Sequence, residues 1–168
     1  LLELLEDWPL AGALVLISGG FATPKLSRDA CALLDHLRLA GADIAIDPGW
    51  PGEGWSPKTR TQLMRWAQKS DHVLLNDKEL AGLAGTSEAD LDLAAERVGG
   101  DLPDLCRIVA KRGAAGASCW HAGCVDHAPA PQTAPFDTVG AGDAFNAGYL
   151  AAIAEGASAQ DALARGCA

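Results

Sequence analysis

The sequence lacks the features of several large protein classes. No stretch reaches the roughly 18 uninterrupted apolar residues of a membrane helix, because Asp143 and Asn146 interrupt the Ala-rich segment 141–154. The opening segment Leu1–Asp7 has no basic region and no small-residue cleavage site, so it does not resemble a secretory signal. Five cysteines are too few, and odd in number, for a disulfide scaffold. We therefore expect a cytoplasmic protein that does not contact membranes.

Positive charge is also scarce. The chain has 13 Lys and Arg against 22 Asp and Glu, a net charge of -9, which argues against binding to nucleic-acid phosphates. It has no P-loop string, and no Gly-x-Gly-x-x-Gly follows a predicted strand, so a P-loop kinase and a dinucleotide dehydrogenase are both disfavoured. A small molecule is the expected partner.

What the 168 residues do contain is an alternation of short apolar runs and helix-period segments, with 49% hydrophobic residues. This pattern predicts one α/β domain with a mostly parallel sheet. Strands are predicted at 13–17, 42–47, 72–75 and 107–111, with a hairpin at 117–120 and 124–127. Helices are predicted over 27–39, 57–68, 77–84, 87–98 and 140–155, with a last one capped by Ser158.

The loops at the carboxyl ends of such strands are where open α/β sheets bind ligands. The strongest local signal is Gly140-Ala141-Gly142 at a helix start, directly before Asp143. Two glycines around a small residue let backbone N–H groups converge, and the helix dipole adds positive potential, so the turn predicts an anion hole. Asp143 would be placed to accept a proton from an attacking hydroxyl. The alternative is an ordinary Gly-rich turn with an acidic residue in the first helical turn.

The segment Asp137–Asp143 (DTVGAGD) closely resembles the C-terminal signature of the ribokinase-like (PfkB) carbohydrate kinases. Asn76–Glu79 resembles the Asn-x-x-Glu motif of that family, Val109–Gly116 its strand and turn beside the nucleotide phosphates, and Ile17–Gly20 a strand that ends near the sugar. The resemblance implies a ribokinase-like three-layer α/β/α fold with a mostly parallel central sheet. Residues 1–168 would be the C-terminal catalytic and ATP-binding part of one kinase domain, truncated at both ends and inactive alone, without the N-terminal strands and the lid.

The resemblance also implies a reaction, the transfer of the γ-phosphate of ATP to a hydroxyl of a sugar or sugar acid. Asp143 would be the catalytic base, and the backbone N–H groups of Gly140, Ala141 and Gly142 would stabilise the charge that develops. The expected substrate-binding residues are Gly19, Gly20, Asp47 and Asp143. Because the lid often mediates dimerisation in the family, the full-length protein is expected to be a homodimer.

Nucleotide and metal ions are assigned on the same basis. The expected ATP-binding residues are Asn76, Glu79, Lys111, Gly113 and Gly116. Asn76 and Glu79 would orient Mg²⁺ through water, although Asn-x-x-Glu is by itself also a capping box. Asp137 and Thr138 match a monovalent-cation site, with K⁺ as the candidate ion.

The loop Asp47–Trp55 departs from the family pattern. Gly49, Pro51 and Gly54 stand where many fructokinase-like and ketodeoxygluconate-kinase-like members carry Asn, Arg and Leu. The substrate class therefore stays open, with two alternatives to a sugar kinase. One is a non-catalytic nucleotide-binding relative, and the other is a nucleoside or vitamin-alcohol kinase of the same fold.

A zinc site is a competing hypothesis for Cys119, His121, Cys124 and His127. In a hairpin that turns at Ala122-Gly123, His121 faces Cys124 while His127 points to the opposite face. Four ligands would then not converge, so zinc is disfavoured.

Overall fold

The computed structural model describes residues 2–5, 7–132 and 138–168. The strands are β1 (Leu14–Ser18), β2 (Asp43–Asp47), β3 (His72–Asn76), β4 (Arg107–Lys111), β5 (Ala117–His121) and β6 (Cys124–Ala128). The helices are α1 (Pro24–Leu39), α2 (Pro57–Ala67), α3 (Asp77–Ala84), α4 (Leu91–Gly99), α5 (Ala141–Ala154) and α6 (Ala159–Cys167). In this part of the chain the strands form one sheet in the order β1-β2-β3-β4-β5-β6. β1 to β4 are parallel, and β5 and β6 extend the sheet antiparallel.

The buried strands divide their side chains between two apolar layers, because successive residues of a strand point to opposite faces. In β3, Val73 and Leu75 pack into the layer covered by α1 to α4. Leu74 lies between them and packs on the other side, against α5 and α6. The three-layer α/β/α architecture and the mostly parallel sheet are thus confirmed.

Two helix starts differ from the prediction by more than one residue, and each difference has a local cause. α1 begins at Pro24, because the N–H of Ser27 already donates to Thr23 O at 2.8 Å and Pro is favoured in a first helical turn. α4 begins at Leu91 rather than at residue 87. Asp90 is its N-cap, since its carboxylate accepts a hydrogen bond from the N–H of Leu93 at 3.0 Å.

The predicted hairpin is confirmed with its register. Cys124 pairs with His121, and Asp126 pairs with Cys119. The turn residues Ala122 (φ 48°) and Gly123 (φ 74°) are both left-handed, as a two-residue hairpin turn of the favoured twist requires. Among residues 2–5, 7–132 and 138–168, no three His, Cys, Asp or Glu side chains gather where one metal ion could bind them all.

The topology places the carboxyl ends of β1 to β4 along one edge of the sheet, and α5 begins beside them. β1 is an outer strand that pairs with β2, and the side chain of Leu16 is 38% exposed. No helix within the described residues has the length and apolar character needed to cross a membrane.

Candidate active site

A cleft of about 710 Å³ opens where β2, β3 and β4 end and α5 begins. Most of the residues that the sequence singled out line it: Asp47, Asn76, Glu79, Lys111, Gly113, Gly116, Thr138, Ala141 and Gly142. Four of the singled-out residues, Gly19, Gly20, Gly140 and Asp143, do not line its walls. Asp137 lies outside the described residues.

The first turn of α5 presents backbone donors to the cleft. Gly140 is the N-cap with φ 78°, a left-handed conformation that favours glycine. The N–H of Ala141 donates to Thr138 O at 3.2 Å, whereas the N–H groups of Gly142 and Asp143 have no acceptor in the described part of the chain. Free first-turn N–H groups and the positive end of the dipole favour an anion at this position.

Asp143 follows Gly142 in the same turn, and its carboxylate is exposed. It is therefore next to the free N–H groups and open to a ligand that enters from solvent. A carboxylate at the edge of an anion site is suited to accept a proton from a hydroxyl that approaches the bound anion.

A buried ionic network joins three elements at the floor of the cleft. Lys111 Nζ donates to Asp47 Oδ2 at 2.6 Å, and Asn146 Nδ2 donates to the same oxygen at 2.6 Å. Lys111 Nζ also lies 3.3 Å from Asn146 Oδ1. The network ties the ends of β2 and β4 to the second turn of α5.

Asn146 is the residue that the sequence reasoning missed. It is fully buried in a helix whose other buried residues are apolar or aromatic. The signal in the sequence that could have found Asn146 is its spacing from Asp143. Residues three positions apart in a helix are neighbours on its surface, so a polar residue at 146 follows the predicted base by about one turn.

Asn76 and Glu79 form a complete capping box at the start of α3. Asn76 Oδ1 accepts from the N–H of Glu79, and Glu79 Oε2 accepts from the N–H of Asn76, both at 2.8 Å. Burial raises the pKa of Glu79, and the Asp47 carboxylate acts in the same direction, whereas the Asn76 N–H and Lys111 oppose the rise. Both residues line the cleft. The capping box uses the single side-chain oxygen of Asn76 and one of the two carboxylate oxygens of Glu79.

The turn after β4 contains two glycines with different functions. Gly113 has φ 54° and open space around it at the cleft wall, so a ligand can approach its backbone. Gly116 has φ 85°, and a Cβ there would stand 1.9 Å from Ala128 O, so that position requires glycine for chain packing. Arg112 Nη1 donates to Ser118 Oγ at 3.3 Å.

The loop after β1 contacts the loop after β2. The N–H of Gly19 donates to Asp47 O at 2.9 Å. Gly20 is buried beneath Trp66, whose ring would stand 2.9 Å from a Cβ on that glycine. The structure therefore brings Gly19 close to Asp47 and places Gly20 in the packing under α2.

The sequence matches the family model described as pfkB family carbohydrate kinase over residues 1–168. It is 32% identical over 125 residues to a fructokinase of Klebsiella pneumoniae, covering 73% of this chain and 40% of the relative. It is 31% identical over 157 residues to a 2-dehydro-3-deoxygluconokinase of Escherichia coli strain K12, covering 89% of this chain and 49% of the relative.

Solved structures share the fold. The aminoimidazole riboside kinase of Salmonella enterica, complexed with aminoimidazole riboside and an ATP analog, superposes with a TM-score of 0.80 at 22% identity. The alignment covers 95% of this chain and 55% of that one. The chain spans about half the length of the proteins it matches.

Proposed function

The chain belongs to the pfkB family of carbohydrate kinases, and on that premise we propose that the whole protein transfers the γ-phosphate of ATP to a hydroxyl of a sugar or sugar acid. The observation that carries this proposal is the first turn of α5. It combines N–H groups that have no acceptor among the described residues, the exposed Asp143 carboxylate beside them, and the Lys111 ammonium at the adjoining wall of the cleft.

In the proposed reaction, Asp143 takes the proton of the acceptor hydroxyl as its oxygen attacks the γ-phosphorus. A new oxygen–phosphorus bond forms while the bond to the β-phosphate oxygen breaks, and ADP leaves with that electron pair. The N–H groups of Gly142 and Asp143 stabilise the negative charge on the transferred group. The N–H of Ala141 is not among the proposed donors to the transferred group, because it is already bonded to Thr138 O.

Asn76 and Glu79 fit an indirect magnesium site better than a direct one. The capping box leaves Glu79 Oε1 to accept a hydrogen bond from a magnesium-bound water, whereas the Asn76 oxygen is already used and only its NH₂ group remains to donate to a phosphate oxygen. Magnesium commonly keeps several waters and binds the phosphates of its nucleotide directly. When bound, the ion neutralises part of the phosphate charge. Thr138 lies at the cleft as the remaining candidate for a monovalent-cation ligand.

The substrate class is proposed from the named relatives. They act on fructose and on a sugar acid by name, so both acceptors belong in the first substrate panel. Gly19 is the glycine near Asp47 that remains available to contact an acceptor.

Asp143→Asn in the full-length protein tests the proposal. We expect turnover to fall by about 10²- to 10⁴-fold, because a general base contributes that much, while nucleotide binding persists. The measurement is coupled ADP release over a panel of sugars and sugar acids. Asp161→Asn is the matched control, since Asp161 is also acidic and in the first turn of a helix, but that helix is α6 and its start does not carry the Gly-rich turn.

Turnover that is unchanged in Asp143→Asn would remove Asp143 from the proposed role. Wild-type protein that binds a magnesium–ATP analogue but releases no ADP with any acceptor would instead identify a non-catalytic nucleotide-binding relative.

A further inference from the structure

We propose that Asn146 is a positioning residue that acts through Asp47 and Lys111, an inference that rests on the proposed function. Its amide holds the Asp47 carboxylate as the counter-ion of Lys111. The Lys111 ammonium is thereby kept beside the first turn of α5, where the phosphates of the nucleotide would arrive.

The hydrogen bonds of Asn146 allow one arrangement. Its Nδ2 donates to Asp47 Oδ2, and its Oδ1 faces Lys111 Nζ. A rotated amide would set its NH₂ group against the ammonium and its oxygen against the carboxylate. Because Asn146 is fully buried, water does not offer substitute partners. The Asn146 amide therefore holds both the Lys111 ammonium and the Asp47 carboxylate in place.

The bonding of Asp47 favours this role over substrate binding. Its Oδ2 accepts from both Lys111 and Asn146, and its Oδ1 accepts from the N–H of Gly49 at 3.2 Å. The residue is only 8% exposed. Three of the roughly four acceptor positions of this carboxylate are therefore occupied, and because the residue is also buried we assign Asp47 to hold Lys111 rather than an acceptor hydroxyl.

Electrostatics explains why Lys111 needs to be held. Its Nζ lies 3.6 Å from where a Cβ on Gly142 would stand, next to the positive end of α5. A helix N-terminus repels a cation, and a lysine side chain has a flexible stem. The Asp47 carboxylate opposes that repulsion, and the buried pair is stable only with further hydrogen bonds, which Asn146 supplies.

Asn146→Leu in the full-length protein tests the inference through binding, which does not depend on turnover. We expect the Kd for the magnesium complex of a non-hydrolysable ATP analogue to rise about tenfold, as expected when a contact from a charged group to phosphate is weakened. The measurement is isothermal titration calorimetry. Tyr149→Phe is the matched control, since it removes a buried polar contact, with His72, from the same helix. Its Kd should equal that of the wild type.

An exchange variant separates positioning from simple space filling. Asp47→Asn combined with Asn146→Asp restores one amide and one carboxylate around Lys111, whereas Asn146→Asp alone sets two carboxylates against each other. We expect the double variant to bind the analogue more tightly than Asn146→Asp but less tightly than the wild type, because an Asn at position 47 has one acceptor oxygen for the two donors Lys111 and Gly49 N–H. If Asn146 only fills space, Asn146→Leu binds the analogue normally.

Three results would overturn the inference. They are a folded Asn146→Leu protein with the wild-type Kd, a double variant no tighter than Asn146→Asp, and failure of both Asn146→Leu and the double variant to fold, which would make the network a requirement of the fold rather than a device that positions Lys111. If Asn146→Leu itself does not fold, the comparison of the double variant with Asn146→Asp decides. Failure of the proposed function shows separately, as wild-type protein that binds the analogue and phosphorylates no acceptor.

Discussion

At the scale of single residues, burial makes His72 a source of acid sensitivity. This side chain is 2% exposed at the start of β3, and its Nδ1 lies 3.1 Å from the hydroxyl of Tyr149. Burial lowers the pKa of His72 to about 4, and the positive charge of Arg107 adds to the effect, while Asp71 opposes it. The imidazole is therefore neutral in the folded protein near pH 6, where an unfolded chain would already begin to protonate it.

We expect the folded state to lose on the order of 3 kcal/mol through His72 as the pH falls from about 6.5 to about 4. The loss follows because the unfolded chain binds a proton in this window and the folded chain does not. Urea unfolding of wild type and His72→Gln at pH 7 and at pH 4.5 measures it. His72→Gln should have the smaller difference between the two pH values, and equal differences in both proteins would contradict the assignment.

The candidate site shows how far single residues could be predicted. The Gly-rich turn, Asn76 and Lys111 carried local signals, and Ala141 and Gly142 of the turn line the same cleft as Asn76 and Lys111. Asn146 was missed because its proposed role depends on a hydrogen bond to Asp47, which is 99 positions away in the chain. Local patterns contain no information about such a partner.

At the scale of secondary-structure elements, glycine sets the distance between α5 and α6. A Cβ on Gly148 would stand 2.7 Å from Arg165 O, and a Cβ on Gly166 would stand 2.8 Å from the Phe145 ring. Both helices therefore approach each other more closely than alanine would allow.

Gly148→Ala should destabilise the protein by about 1–3 kcal/mol, because the new methyl group meets rigid backbone and forces the two helices apart. Gly99→Ala is the control, since a Cβ there would be in ordinary contact at 3.6 Å from Ile108, and alanine is the better helix former. Thermal unfolding distinguishes the two variants. A Gly148→Ala protein as stable as the wild type would show that α6 can move away at no cost.

Element positions were predictable to within a few residues, and the error at the start of α4 comes from two competing caps. Ser87 and Asp90 are both suitable N-cap residues. Ser87 instead begins a turn, in which the N–H of Asp90 donates to Ser87 O at 3.2 Å, and Asp90 caps the helix. Because both side chains can cap a helix, the residue types alone do not decide which of the two begins α4.

At the scale of the whole molecule, a net charge of -9 has to coexist with the proposed anion site. The groups that would attract an anion there are local, namely the N-terminal end of α5 and the ammonium of Lys111, which shares the cleft with the Asp47 carboxylate. The alternation of apolar runs predicted the layers, because buried parallel strands and amphipathic helices have distinct periods. It did not predict that the strands would lie in the sheet in the same order as in the chain.

That strand order has a consequence for folding. In β1 to β4 each strand pairs with the strand before it, as Leu14 does with Asp43 and His72 with Arg107, so each of these pairings closes a loop of about 30 positions. The bond between Asn146 and Asp47 instead closes a loop of 99 positions, and closing long loops is slow and entropically costly. In pulsed hydrogen exchange during refolding, we expect the amides of β2 to β4 to be protected before those of α5. Simultaneous protection would contradict this order. If α5 is protected after the strands, the cleft is completed only when α5 docks. A nascent chain would then lack the proposed nucleotide site until that point.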